Sequence, residues 1–140
     1  VTYVDTTGLD LAASTVTGNL DVTATNGNLT DSGAVDVSGT GTFTTGASNA
    51  TITLNQLAVD GAISVNTSGT SGDVTLVNAT GIDFANSTVG GILDVVATTG
   101  NITDSGAVTV GGSGASAFST LASNADITLN TTDTSAGSTA

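Results

Sequence analysis

Apolar residues recur at every second position in short runs: Leu9-Asp-Leu11, Leu20-Asp-Val22, Val35-Asp-Val37, Ile52-Thr-Leu54, Ile63-Ser-Val65 and Val74-Thr-Leu76. A period of two puts the apolar members on one side of an extended chain and Asp, Thr and Ser on the other, so each run predicts a half-buried strand. Between the runs lie Thr25-Asn-Gly-Asn28, Asp31-Ser-Gly33, Thr98-Thr-Gly-Asn101 and Gly111-Gly-Ser-Gly114. Their glycines are expected to supply the positive φ angles of tight turns. The chain therefore predicts as all-β.

The runs belong to a longer repeat. Residues 1–41 match residues 74–114 at a shift of 73, with 27 of 41 positions identical. The match resumes from Thr42–Asn55 against Ala117–Asn130 at a shift of 75, with 10 of 14 identical, after a two-residue insertion near Ala115 and Ser116. The chain divides into a first repeat, residues 1–73, and a truncated second, residues 74–140, in one continuous domain. Joining Ala140 to Val1 gives a sequence similar to residues 68–77, which suggests a tandem array with a period near 140. Without a basic or apolar leader pattern at Val1, the chain reads as an interior piece of a longer protein.

Comparable strands start at Ile52, Val74, Leu93, Val108 and Ile127, steps of 22, 19, 15 and 19 residues. They predict a parallel β-solenoid with four coils per repeat and about 19 residues per coil, each stacked about 4.8 Å on the last. Seven such coils make a rod on the order of 35 Å long. A division of the repeat into three longer coils is the alternative to this register. Small aliphatics at fixed positions, with only Tyr3, Phe43, Phe84 and Phe118 as aromatics, favour a narrow solenoid lumen over a sandwich about 10 Å thick. Tandem immunoglobulin-like domains of about 73 residues are the alternative fold.

Composition narrows the chemistry. The chain has 140 residues and a formal charge of -12, from twelve Asp, with no Lys, Arg, His, Cys, Met, Pro or Trp. Nothing can neutralise phosphate, so nucleic acid and anionic membranes are disfavoured partners, and no apolar run is long enough for a membrane-spanning helix. Without an imidazole, thiol or amine, the Ser and Thr hydroxyls have no base to activate them.

Three runs carry a resemblance: Ser87-Thr-Val-Gly-Gly-Ile-Leu-Asp-Val-Val-Ala-Thr98, Gly100-Asn-Ile-Thr-Asp-Ser-Gly-Ala-Val-Thr-Val110 and Asn124-Ala-Asp-Ile-Thr-Leu-Asn130, with counterparts at 14–25, 27–37 and 49–55. They resemble the β-strand repeats of filamentous-haemagglutinin-like bacterial surface proteins. The resemblance implies a right-handed parallel β-helix, extracellular, secreted or held at the bacterial cell surface, and used in adhesion, biofilm or aggregation. No secretion domain or binding tip of that family has a counterpart here.

The expected function is structural: the shaft of a secreted fibre, whose partners are other copies of the repeat or chain stacked end to end. The alternative is an adhesin repeat whose Thr-, Ser- and Asn-rich faces bind a surface or glycan. No enzyme is expected, and no residue is assigned to catalysis, to a cofactor or to a metal. Paired Asp could in principle run a glycosidase, but the aromatic platforms and cationic clamps of such grooves are missing. Asp10, Asp83, Asp21, Asp94 and Asp36 each separate two apolar neighbours and predict a solvated strand face, while Asp31 and Asp104, in Thr-Asp-Ser-Gly, predict turn residues bonding their own backbone. The Gly- and Asp-rich nonapeptide of calcium β-rolls is absent, so diffuse cation screening is expected rather than an ordered site. Seven Asn-X-Ser/Thr sequons, at Asn28, Asn49, Asn66, Asn78, Asn86, Asn101 and Asn130, are glycosylation acceptors in an archaeal or eukaryotic host and otherwise hydrogen-bonded turn ladders.

Overall fold

The computed structural model describes residues 1–130 and the strand Thr132–Asp133. Strands follow one another in the order β1 (Thr2–Asp5), β2 (Leu9–Leu11), β3 (Ser14–Val16), β4 (Leu20–Ala24), β5 (Leu29–Asp31), β6 (Val35–Val37), β7 (Gly41–Ser48), β8 (Ile52–Val59) and β9 (Ile63–Ser68). The second half continues with β10 (Val74–Asn78), β11 (Ile82–Phe84), β12 (Ser87–Val89), β13 (Leu93–Ala97), β14 (Ile102–Asp104), β15 (Val108–Val110), β16 (Ala117–Thr120), β17 (Ile127–Thr128) and β18 (Thr132–Asp133). The described residues contain no helix.

Every pairing is parallel and joins a strand to one lying a full turn away. Two walls result. The first runs β1-β4-β7-β9-β11-β14-β17, with β12, β15 and β18 alongside, and the second runs β2-β5-β8-β10-β13-β16, with β3 and β6 alongside. The protein is a parallel β-solenoid of about six turns of roughly 21 residues. At about 4.8 Å per turn the stack is about 30 Å long.

The alternating residues fall as the period of two requires. On the second wall Leu29, Ile52, Val74 and Leu93 stack in one inward column, and Leu54, Leu76 and Val95 in the next; all are buried. Such columns bury apolar area continuously along the axis, at about 25 cal/mol per Å². On the first wall Gly41 sits between Leu20 and Ile63, and a Cβ there would meet the Phe43 ring at 2.8 Å. The missing side chain is what lets a phenylalanine fit a lumen otherwise lined by aliphatics.

The coil length corrects the expected one. Leu93 and Val108 stand on opposite walls, so the 15-residue step between them is less than one turn; the true neighbour of β13 in the next coil is β16, with Asp94 beside Ala117. A run of alternating residues looks the same on either wall, which is why its spacing alone overcounted the coils. A repeat of 73 residues at roughly 21 per turn is about three and a half turns. Each element of the second repeat consequently lies on the wall opposite its counterpart: β1, β4 and β7 are in the first wall and β10, β13 and β16 in the second, while β2, β5 and β8 exchange with β11, β14 and β17.

Candidate functional site

The corners carry most of the polar organisation. At a bend the strand ladder lapses, and N–H groups of one coil lose their partners in the coil below; an uncompensated donor there is costly. Side-chain oxygens of Asn and Asp substitute. The backbone N–H groups of Thr40, Thr51, Ser71, Ala107 and Asp126 donate to the Oδ1 atoms of Asn19, Asn28, Asn49, Asn86 and Asn101, at 2.9–3.1 Å. Ile92 N–H donates likewise to Asp73 and Asn130 N–H to Asp104, and where β16 starts beside β13 Ala117 N–H donates to Asp94, at 2.8–3.1 Å.

Asp31 shows why the arrangement arises. Its carboxylate accepts Asn55 N–H at 2.9 Å and Gln56 N–H at 2.7 Å, where β8 runs past the corner separating β5 from β6. Asp31 and Asp104 therefore splint the next coil, a role beyond the local turn that their Thr-Asp-Ser-Gly setting suggests. Their roles correspond: the shift of 73 maps Asp31 onto Asp104, and Asn130 is the counterpart of Asn55. Asp5 does form a local turn, accepting the Thr7 N–H and hydroxyl, both at 2.7 Å. Those bonds, the backbone one foremost, hold its carboxyl below the ordinary value of 3.8.

Glycines meet two different needs at these bends. Gly27 and its counterpart Gly100 adopt φ of +143° and +92°, as expected for a turn. Gly33 does not; a Cβ there would collide with the Ala13 backbone one coil away, so close stacking selects it.

The strand-face aspartates lie where parity places them. Asp10, Asp21 and Asp36 are exposed and Asp83 and Asp94 half-buried. Asp10 accepts the hydroxyls of Thr30 and Ser32 from the next coil, at 3.1 and 2.6 Å, and its counterpart Asp83 accepts that of Thr103 at 3.4 Å. No group of three or more metal-ligating side chains gathers among the described residues.

The sequon asparagines divide. Asn78 is fully buried, in the inward column between Leu57 and Ala97, which removes it as a glycan acceptor. Its Oδ1 accepts Val59 N–H at 2.9 Å, and its Nδ2 donates to Val59 O, Gly81 O and Thr80 Oγ1 at 3.0, 2.8 and 3.0 Å. Asn28, Asn49, Asn86 and Asn101 are exposed but hold backbone N–H groups of the following coil, so they bond the backbone and not one another. Asn66 donates to Ser64 Oγ, and Asn130 is exposed. Parity already distinguishes Asn78: it shares its side of the strand with Val74 and Leu76.

Hollows open on the surface among the described residues. A cleft of about 530 Å³ is lined by Ser116, Ala117, Phe118, Ile127 and Leu129, where the lumen opens at the last described coils. A shallower one of about 340 Å³ lies along the corner of Asp60, Thr80, Asp83 and Asn101. At the opposite end of the rod Val1, Tyr3 and Val4 are exposed.

Inward aliphatic columns, parallel walls and oxygen-bridged corners define a tandem-repeat β-solenoid protein. Within that class the chain belongs to the family described as repeats of unknown function (DUF5649), which matches residues 1–68 and again residues 71–140. No curated protein and no solved structure matches it.

Proposed function

We propose that the chain is a structural segment of a fibre shaft, secreted to or displayed on the cell surface, and that it does no catalysis. The observation that carries this reading is the continuity of the walls: β1 to β17 and β2 to β16 are hydrogen-bonded without a break along the axis. A stack in which each coil contacts only its neighbours is extended by adding coils, and its product is length and stiffness. Twelve Asp and no cationic side chain make the outside repel its own kind laterally and keep such rods apart. The resemblance of residues 87–98, 100–110 and 124–130 to filamentous-haemagglutinin-like repeats supports the extracellular setting.

Small-angle scattering and electron microscopy of concatenated repeats test it. Each added repeat should lengthen a rod of constant cross-section by about 17 Å, three and a half rises of about 4.8 Å. Beads of fixed size joined by linkers would refute the shaft. Tight capture of one glycan on an array by the purified segment would instead assign the outer faces to adhesion.

A further inference from the structure

The corner between β4 and β5 holds Thr25-Asn26-Gly27-Asn28, and Asn26-Gly27 is the single Asn-Gly pair of the sequence. An asparagine side chain is open to attack by the backbone nitrogen that follows it, which closes a five-membered imide. The attack needs a nitrogen that is uncrowded and not engaged as a donor. Elsewhere the fold withholds both conditions. After Asn19, Asn28, Asn49, Asn78, Asn86 and Asn101 the next residue carries a side chain, and its N–H donates to a backbone carbonyl at 2.8–3.2 Å. After Asn55 the N–H of Gln56 is held by Asp31.

Gly27 differs on both counts. It has no Cβ, it turns the chain at φ +143°, and its N–H has no backbone or side-chain acceptor among the described residues. Asn26 itself is exposed. One bond restrains it: Nδ2 donates to Thr6 O of the previous coil at 3.0 Å, an exposed contact that water can replace.

We propose that Asn26-Gly27 is a site of self-modification, at which the Gly27 nitrogen attacks the side-chain carbonyl carbon of Asn26. The N–Cγ bond forms, the Cγ–Nδ2 bond breaks, and solvent carries the Gly27 proton to the amide nitrogen, which departs as ammonia. Water then adds across one of the two imide C–N bonds. Opening on one side leaves an ordinary aspartate at position 26. Opening on the other leaves isoaspartate, in which the main chain runs through the former side-chain carbon.

Both products change the corner. The acid has lost the donor to Thr6 O and sets a carboxylate against that carbonyl. Isoaspartate lengthens the backbone at a place without slack, since even a Cβ on Gly27 would stand 2.7 Å from Gly8 N. The neighbouring bonds depend on that spacing: Leu9 N–H donates to Asn28 O and Thr51 N–H to Asn28 Oδ1, both at 2.9 Å. Modification therefore loosens successive coils in the first repeat and spares the second. There Thr99 replaces Asn26, and its hydroxyl donates to Ala79 O at 2.9 Å, the same bond without a reactive amide.

The purified chain, incubated in mildly alkaline buffer, is followed by mass spectrometry of peptic peptides and by enzymatic methylation of isoaspartate. The amide-to-acid mass gain should appear at position 26 about tenfold or more faster than at any other asparagine, a difference of about 1.4 kcal/mol in barrier. Asn26→Thr copies the second repeat, so it should fold like the parent and form no isoaspartate at that corner. Thr99→Asn should create a second reactive corner, because Gly100 lies at φ +92° and its N–H likewise has no acceptor among the described residues. Asp60-Gly61 is an internal control: Gly61 N–H donates to Gly39 O at 3.0 Å, so isoaspartate at position 60 should form in urea and not in the folded chain. As isoaspartate accumulates at position 26, hydrogen exchange should quicken at Leu9 and Thr51 and stay constant at their counterparts Ile82 and Asp126. The inference is overturned if position 26 reacts no faster in the folded chain than the other asparagines, or if urea speeds it as much as it speeds position 60. Modification that leaves exchange at Leu9 and Thr51 unchanged would overturn the loosening.

Discussion

Replacing Asn78 tests whether a buried amide holds a corner of the stack together. Its side chain is fully buried among Leu57, Ala97 and the β8 backbone, and its Oδ1 is the acceptor for Val59 N–H. Asn78→Leu keeps about the same volume and removes every bond. Val59 O retains the Thr80 hydroxyl at 2.9 Å, so the carbonyl is not orphaned, but the Val59 N–H is. An unsatisfied buried donor costs about 1–3 kcal/mol, and the lost bonds to Val59 O and Gly81 O add about 1 kcal/mol, giving about 3 kcal/mol against a total stability of about 5–15 kcal/mol.

Asn78→Asp makes the argument sharper. It keeps Oδ1 for Val59 N–H but places a second carboxylate oxygen where Nδ2 now lies, 3.0 Å from Val59 O and 2.8 Å from Gly81 O. Burial and those carbonyls disfavour the charged form, so the variant's carboxyl in the fold lies above its unfolded value of about 3.9. The sign follows: the penalty is full above the raised folded pKa and shrinks as pH falls through it toward the unfolded value, because the protonated acid can again donate. The assay is urea unfolding of parent and variants at matched pH, with hydrogen exchange of the Val59 amide as a local readout suited to a fold whose coils can open separately. An Asn78→Leu protein as stable as the parent, or an Asn78→Asp deficit that does not change between pH ~8 and ~4, would show the reasoning to be wrong.

Other perturbations follow from the same geometry. Asp31→Ala strips the acceptor from Asn55 N–H and Gln56 N–H and should cost about 1–2 kcal/mol in urea unfolding, while Asp31→Asn, which keeps one oxygen, should cost less. Gly27→Ala puts a Cβ 2.7 Å from Gly8 N at φ +143° and should destabilise the fold by more than ~1 kcal/mol, read as a lower melting midpoint. Leu54→Ala empties a fully buried site in the second wall and should cost about 2–5 kcal/mol by denaturant titration. Thr7→Val removes the hydroxyl bond but keeps the backbone one, so in an NMR titration the Asp5 carboxyl should rise only part of the way back toward 3.8; in the parent the depressed value means that this stabilisation is present above 3.8 and fades as pH falls through the folded pKa.

Parity was the legible part of the sequence. Leu20, Val22, Val35, Val37, Ile52 and Leu54 are all inward and buried, and Asp21, Asp36 and Thr53 all outward, as a period of two requires. The wall to which a run belongs was not legible, since both walls are read in the same alphabet, and Val108 was accordingly stacked on Leu93 when its neighbours are Ser87 and Thr132. The corner bridges were hidden for another reason. Asp31 and Asn55 are joined because they sit one coil apart, a separation of 24 residues that local turn chemistry does not address. Asn28 and Asn101 read from sequence as turn asparagines stacked in ladders, whereas their partner is the backbone of the next coil.

The half-turn offset between the repeats explains why the corner chemistry is so uniform. A repeat that closes after a whole number of coils could give each wall its own side chains, with one face specialised. A repeat of about three and a half coils makes every motif serve on both walls, so Asp31 and Asp104, Asn28 and Asn101, and Asp10 and Asp83 must each work with the lumen on either hand. Bonds to the adjacent coil, to its backbone N–H groups from Asp31, Asp104, Asn28 and Asn101 and to its hydroxyls from Asp10 and Asp83, satisfy that demand, because their geometry depends on the axial rise and not on what lies across the lumen. It follows that in an array continued at this period any outer feature reappears about 17 Å along the axis on the opposite side. Such an array presents corresponding positions to left and right in alternation, which fits the proposed shaft.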